Sequence, residues 1–375
     1  MGVKLTSVSL SGFKTFRELP GFELRPINLL IGANGSGKSN FLSFFHMLAK
    51  ILDPAIGLQR HVIENGGSNT FLHDGSGLTP LLSGCLRFEM EEGSCEYSLH
   101  LGHRGGDSLF FAREGHRLLP VGQEEQPWQP LGASHDESQL LRRDLDDAFP
   151  VNRRIRDFLS KCITYHFQDT SSRSALRSRC PADDCRYLYK DGGNLAAFLR
   201  RLRESGDETE RFAFDRIEEI MRLLAPSFSQ FVLEPEGSSL ILRWREEGCD
   251  RDFNAGQAPD GMLRLMALVT LLSQPDTTLP EVLIIDEPEL GLHPDAIAFV
   301  AGLMRSASKV TQLIVATQSP ELVDEFEPED IVVVQRKGRE SFLERKSREE
   351  LKIWMDEYSL GELWRKNVLG GGPFA

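Results

Sequence analysis

Gly32-Ala33-Asn34-Gly35-Ser36-Gly37-Lys38-Ser39 is the stretch whose reading decides the fold. It fits G-x-x-x-x-G-K-[ST], and its flanks supply the context that this pattern needs. Before it, the hydrophobic run Ile27-Asn28-Leu29-Leu30-Ile31 reads as the end of a strand. After it, Phe41, Phe44, Phe45, Leu48 and Leu52 recur at helical spacing as far as Pro54. Glycines let successive backbone N–H groups turn inward around a phosphate, and the helix adds the positive end of its dipole. On this reading Lys38 lies along the β- and γ-phosphates of ATP, and the Ser39 hydroxyl holds Mg2+. The nucleotide-binding set is then Gly32, Asn34, Gly35, Ser36, Gly37, Lys38, Ser39 and the next residue, Asn40.

A second stretch supplies acids. Glu281-Val282-Leu283-Ile284-Ile285-Asp286-Glu287-Pro288 reads as a buried strand ending in two carboxylates. Asp286 at its tip is expected to hold Mg2+ through water, and Glu287 to polarise the attacking water. Both roles need the carboxyl end of a parallel strand, where α/β sheets place their ligands. The fold class is therefore α/β, of the P-loop NTPase type.

The chain has 375 residues, 40% hydrophobic and 26% charged, with a net charge of −13. This describes a globular protein, and the negative sign argues against a surface coated overall for nucleic acid. Residues 151–203 depart from that average, with twelve Lys or Arg against five Asp. The stretch reads either as a surface for DNA or a protein partner, or as helix faces balanced by acids elsewhere. Six scattered cysteines form no CxxC, which favours reduced thiols in the cytoplasm over a zinc site. No apolar run approaches the ~20 residues that span a bilayer. The opening Met1-Gly2-Val3-Lys4-Leu5-Thr6 formally fits a myristoylation pattern, but Lys4–Leu10 alternates as a sheet strand does.

Strands are expected over Val3–Leu10 and Phe22–Ile31, with a helix over Ser39–Leu52. Short alternating runs from Leu86 to Leu119 read as an antiparallel sheet, and Gly122–Asp136 as a loose connection. Asp136–Leu224 reads as mainly helical, broken around Arg173–Asp191, and Phe231–Arg245 as a hairpin turning at Gly237-Ser238. The last third alternates helix Gly261–Ser273, strand Val282–Ile285, helix Pro294–Ser308, strand Gln312–Ala316 and a final strand, Ile331–Gln335. A charged helical tail then ends in Gly370-Gly371-Gly372-Pro373. His46 and His61 acquire no role from the sequence.

The motifs resemble the ABC-type ATPase heads of the RecF/SMC/OLD group. Glu287-Pro288-Glu289-Leu290-Gly291-Leu292-His293-Pro294 resembles that group's D-loop, with His293 as a structural residue of it. Asn254–Leu268 resembles its signature segment and helix, with Asp260-Gly261 at the core. Ala316-Thr317-Gln318-Ser319-Pro320 stands at its switch motif, and Tyr165-His166-Phe167-Gln168-Asp169-Thr170 at its Q-loop. Ser9–Phe16 resembles its opening strand and turn, and the order of motifs is the group's order. Gly192–Leu199 and Tyr358–Trp364 resemble compact RecF-like ATPases without coiled coils, of the kind found in bacterial anti-phage and toxin-type loci.

The resemblance implies an ABC-type ATPase head with an antiparallel β subdomain and an inserted helical subdomain. It divides as residues 1–135 (Walker A and sheet), 136–250 (helices and Q-loop) and 251–375 (signature, Walker B, D-loop and switch). It implies that Gln168 contacts nucleotide and Mg2+, that Asp260 and Gly261 contact nucleotide, and that Lys38, Glu287 and Gln318 serve catalysis. It also implies a homodimer closing on ATP. Two positions depart from the group. Pro259 replaces the signature serine and supplies neither a hydroxyl nor an N–H, and Gln318 replaces the switch histidine and carries no proton charge near neutral pH. ATP binding with slow turnover is the expectation. OLD-type nucleases carry a TOPRIM domain where this chain has 40 residues beyond Gln335, below the ~50-residue floor for a domain. Nuclease or toxin chemistry is therefore expected from a separately encoded effector, and a RecF-like clamp on duplex DNA is the alternative. The opening turn and the D-loop disfavour a transporter ATPase.

Overall fold

The computed structural model describes residues 3–90, 93–122, 126–146 and 149–372. Strands β1 (Lys4–Phe13), β2 (Phe16–Glu23) and β3 (Ile27–Ile31) lead into helices α1 (Lys38–Ile51) and α2 (Gly57–Glu64). Strands β4 (Leu81–Met90), β5 (Gly93–Arg104), β6 (Ser108–Pro120) and β7 (Gln129–Gly132) precede α3 (Pro150–Ser160). After β8 (Cys162–Tyr165) and β9 (Cys180–Pro181) come α4 (Leu195–Glu204) and α5 (Glu208–Leu224). Strands β10 (Phe228–Val232), β11 (Ser239–Leu240), β12 (Arg243–Glu246) and β13 (Asp252–Asn254) follow. The chain then runs through α6 (Asp260–Ser273), β14 (Val282–Asp286), α7 (Pro294–Ala307), β15 (Gln312–Thr317) and α8 (Pro320–Val323). It closes with β16 (Ile331–Lys337), β17 (Glu340–Arg345), α9 (Arg348–Met355) and α10 (Leu360–Arg365). No helix among the described residues is long and apolar enough to cross a membrane.

Contacts divide the chain into two compact units, each discontinuous in sequence, whereas the three segments read above follow the order of the motifs. One unit joins Met1–Ile163, Pro328–Glu357 and Leu363–Ala375. Its larger sheet has the order β2-β1-β4-β5-β6-β7, and it also holds β3 parallel to β16, with β17 antiparallel beyond. All five residues of β3 are buried, as a strand covered on both faces requires. Helix α1 is anchored by aromatic edges: Phe44 meets Phe13 of β1 at 5.5 Å between ring centroids, and Phe41 meets Phe16 of β2 at 6.0 Å. Such pairs prefer this edge-on geometry and each adds about 0.5–1.5 kcal/mol to simple burial. The helix that follows the phosphate loop is thereby fixed by its far face.

The second unit joins Thr164–Glu327 and Tyr358–Glu362. Strands β14 and β15 run parallel in it, with Asp286 level with Ala316. Helices α4, α5 and α6 pack in sequence, and β10, β12 and β13 form a small antiparallel sheet.

Several boundaries differ from those expected. Phe22–Ile31 is two strands, because Pro26 withdraws a ladder N–H and the chain turns at Leu24–Pro26. The connection Gly122–Asp136 contains β7, which pairs with β6, although residues 123–125 lie outside the description. The helical reading of Asp136–Leu224 holds only for α3, α4 and α5. Between α3 and α4 the backbone is mostly irregular, held by polar side chains such as Asn194, which bonds Tyr189 N–H and the carbonyls of Asp184 and Tyr187. Ile331–Gln335 is not the final strand. Its hairpin partner β17 is an exposed-edge strand whose Phe342 faces solvent and whose Ser341 is buried, which inverts the pattern a strand is recognised by. Met1, Gly2 and Pro373 lie outside the described residues, while Lys4–Leu10 lies within β1, paired with β4 from Lys4 and also with β2 from Ser7.

His61 now has neighbours. It is buried on α2, with its ring 5.8 Å from that of His46 and 5.5 Å from Phe71. Burial, helped by Lys50 and Lys14, lowers its pKa from 6.5 to about 4. The unfolded chain therefore takes up a proton below 6.5 that the native site refuses until about 4. Stability falls as the pH drops through that window, by up to about 1.4 kcal/mol per pH unit. Denaturant unfolding measured across the window should show this slope, and His61→Gln should flatten it.

Candidate nucleotide site

The phosphate loop lies between buried β3 and α1. Gly32 has φ +154°, and a Cβ there would stand 2.3 Å from Val334 O, so the loop can leave β3 beside β16 only with glycine. Several of the loop's carbonyls are taken up by protein donors. Arg336 Nη1 donates to Gly35 O at 3.2 Å, and Ser341 Oγ to Ser36 O at 2.6 Å. Lys38 Nζ donates to Gly32 O at 2.6 Å and to Ala33 O at 3.2 Å. Ala33 N–H in turn donates to Gly371 O at 2.8 Å. The hairpin β16–β17 and the glycine segment after α10 thus hold the outer wall of the loop.

The inner side has the character of an anion site. The N-terminus of α1 has no side-chain cap and no acid in its first turn, so its orphan N–H groups meet no competing carboxylate. Ser36 Oγ is buried without a hydrogen-bond partner among the described residues, and the Ser39 side chain is exposed. These residues fit a triphosphate with its Mg2+. Asn40 is committed outward instead, donating Nδ2 to Thr15 Oγ1 at 3.0 Å.

In the second unit the structure gathers Asp286, Glu287, Gln168, Gln318, Asp260 and Gly261 around the ends of β14 and β15. Glu287 has φ +47°, a left-handed conformation that costs a non-glycine residue free energy and clusters at working sites. Its N–H donates to Ala316 O at 2.8 Å, and its Oε1 accepts a hydrogen bond from Gln318 Nε2. Gln168 Nε2 donates to Asp286 O at 3.1 Å. Gly261 lies against the D-loop so closely that a Cβ would stand 2.4 Å from Gly291 O. His293 caps α7, its Nδ1 accepting from Asp295 N–H at 3.3 Å.

Three side chains without an assigned role in the sequence hold this site together. Arg264 on α6 donates to Phe167 O, Gln168 O, Thr170 Oγ1 and Leu290 O, at 2.8 to 3.3 Å. It therefore joins the signature helix to the Q-loop and the D-loop. Arg177 donates to Ala255 O, and to Thr170 O, Ala258 O and Asp260 Oδ1 at 2.8, 3.0 and 2.8 Å, clamping the segment that carries Pro259. Glu289 is half-buried, and its Oε1 accepts from Thr317 Oγ1 at 2.6 Å and Gln318 N–H at 3.1 Å. Burial pushes its carboxyl above the usual range, and nearby Glu287 adds to this. Arg177 lies outside every motif, and Arg264 lies within the signature segment and helix without a role of its own there. Glu289 belongs to the D-loop motif, but nothing in its spacing says that it faces inward.

The basic stretch 151–203 is divided between the two units, and many of its charges are matched. Arg200 pairs with Glu204, Arg201 with Glu210, Arg203 with Glu204 and Glu234, Arg179 with Glu236, and Arg156 with Asp146. All of those acids except Asp146 follow the stretch in sequence, and Asp146 precedes it, so a count confined to 151–203 overstates the local charge.

A family model described as "AAA domain, putative AbiEii toxin, Type IV TA system" matches residues 27–105 and 133–324, more than half of the chain. No curated protein matches the sequence. Among solved structures, an SMC head bound to the C-terminal winged-helix domain of ScpA is similar at a TM-score of 0.62 and 16% identity. The alignment covers 93% of this chain and 99% of that one. An SMC head with an extended coiled coil, bound to the C-terminal domain of ScpA and derived from Pyrococcus furiosus, gives 0.59 and 15%, covering 95% and 99%. An SMC head with coiled coil and joint from Pyrococcus yayanosii gives 0.52 and 13%, covering 95% and 99%. At these identities the likeness shows the fold, an ABC-type P-loop head.

Arg264→Ala removes donors to four acceptors at once. It should destabilise the protein by about 1–3 kcal/mol, since hydrogen bonds from a charged group are the stronger kind. Hydrogen exchange should show the amides of residues 167–170 and 290–292 losing protection first.

Proposed function

The chain belongs to this AAA-domain family, an ABC/SMC-like ATPase family, and from that premise we propose that it binds and slowly hydrolyses ATP as a nucleotide-controlled dimeric switch. The switch acts on a separately encoded effector, a nuclease or toxin, in the cytoplasm, and serves anti-phage defence. The observation that carries the ATP reading is the phosphate loop, whose carbonyls are held by Arg336, Ser341 and Lys38 while its helix end is left uncapped. The family description names a toxin–antitoxin setting, and two of the SMC heads similar in fold are bound to domains of a partner protein. Those two points support an effector.

Each step assigned to this chain follows from its own groups. The loop N–H groups and Lys38 bind and orient the triphosphate, and Ser39, Asp286 and Gln168 are the residues that would hold Mg2+. Bound Mg2+ would neutralise phosphate charge as the terminal phosphoryl group transfers. Glu287, held at Oε1 by the Gln318 amide, keeps its other oxygen to accept a proton from water. Gln318 orients but takes no proton. Asp260 and Gly261 present the α6 N-terminus to the partner protomer's nucleotide, where Pro259 offers no donor of its own. A missing transition-state donor costs about 10²–10³ in rate, which makes ATP a ligand that holds the dimer more than a fuel. The ion pairing of residues 179–203 leaves the DNA-clamp alternative without comparable support.

Lys38→Ala should abolish ATP binding in calorimetry. Glu287→Gln should retain ATP and accumulate as a dimer in light scattering with ATP and Mg2+; a variant that hydrolyses at the parental rate would remove Glu287 from the mechanism. Pro259→Ser should raise turnover roughly 10-fold or more at nearly unchanged nucleotide affinity. Co-purification with the product of an adjacent gene tests the effector, and recovery of the chain alone under ATP-bound conditions would count against it.

A further inference from the structure

We propose that Glu289 is a positioning residue for water activation, acting on Glu287 through Gln318. This inference rests on the ATPase reading above and names a residue to which that reading gives no part.

The connection is continuous and short. Oε1 of Glu289 receives two hydrogen bonds, from the Thr317 hydroxyl at 2.6 Å and from the Gln318 backbone N–H at 3.1 Å. Gln318 then donates its side-chain amide to Glu287 Oε1. Thr317 Oγ1 also accepts from Ser319 N–H at 3.0 Å, and Ser319 caps α8. One carboxylate oxygen therefore sets both the backbone and the neighbouring side chain of the segment that aims Gln318. Glu287 needs such support, because a strained left-handed backbone at φ +47° persists only where surrounding contacts hold it.

A purely structural tie would need only that one acceptor. Glu289 also carries a second carboxylate oxygen, Oε2, that is buried and has no partner among the described residues. Burying an unpartnered polar atom is destabilising. Its presence beside the reacting acid is what stability alone would remove and a functional site retains.

Glu289→Gln keeps the Oε1 acceptor and Glu289→Ala removes it. The alanine variant should lose roughly 10- to 100-fold in kcat, the scale on which small misplacements act, with ATP affinity unchanged. The glutamine variant should stay within about threefold of the parent. In a Glu287→Gln background the alanine substitution should cost nothing further, whereas equal losses in both backgrounds would overturn the proposal. Should Glu289→Ala not fold, Thr317→Val removes one of the two donors and should give an intermediate loss; a parental rate in that variant would count against the relay. A readout free of turnover comes from glutamine labelled with nitrogen-15, with the Gln318 side-chain amide identified by its absence in Gln318→Ala. Its hydrogen-bonded shift should collapse in Glu289→Ala and persist in Glu289→Gln, and an unmoved resonance in the alanine variant would overturn the proposal. If the parent hydrolyses no ATP, the ATPase reading falls, and the amide resonance alone decides the positioning role.

Discussion

A loop that binds phosphate through backbone N–H groups must turn its carbonyls the other way, and each carbonyl turned away from the ligand still requires a donor. That requirement organises the first unit. Arg336 and Ser341 come from the hairpin β16–β17, and Lys38 donates to the carbonyls of Gly32 and Ala33 from within the motif. Gly371 reverses the relation and accepts from Ala33 N–H. Segments some three hundred residues apart in the chain are thus joined by single hydrogen bonds to one turn. The aromatic packing behind α1 serves the same end, since an N-terminus can present its N–H groups to a ligand only if the helix cannot shift.

The second unit meets a different constraint. Two acids at the end of a strand, with a third two residues further on, repel one another unless neighbours hold them apart. Here the neighbours are amides and a hydroxyl. Gln318 bonds Glu287, and Thr317 with the Gln318 N–H bonds Glu289. A histidine at 318 could share a proton with Glu287, whereas glutamine can only orient it. The substitution therefore exchanges proton chemistry for fixed geometry. Arg264 and Arg177 extend the same logic by binding backbone carbonyls of the Q-loop, D-loop and signature segment, which ties these loops to one another.

Electrostatics also separates local from global reading. Counted along the chain, residues 151–203 carry an excess of seven positive charges. In the fold, Arg201 and Arg203 reach Glu210 and Glu234, and Arg179 reaches Glu236. The exposed pairs among these contribute little stability individually, but all of them reduce the unpaired charge available to a polyanion.

The sequence by itself determined the fold class, the phosphate loop from Gly32 to Ser39, the acid pair Asp286-Glu287 and the order of the motifs. These were legible because each rests on local backbone chemistry: glycine where the chain must reverse, a lysine and a hydroxyl at fixed spacing, a hydrophobic run that ends in acids. Tertiary structure alone decided which residues support them. Arg264, Arg177, Arg336 and Ser341 bind backbone carbonyls, and a carbonyl has no sequence signature, so no spacing rule points to its donor. The same applies to β17, whose exposed-edge position inverts the usual alternation, and to the irregular backbone between α3 and α4, held by side chains such as Asn194. Glu289 shows the division within one motif. Its place in the chain was plain beside Glu287, but its burial and its grip on Gln318 exist only because β15 ends level with β14.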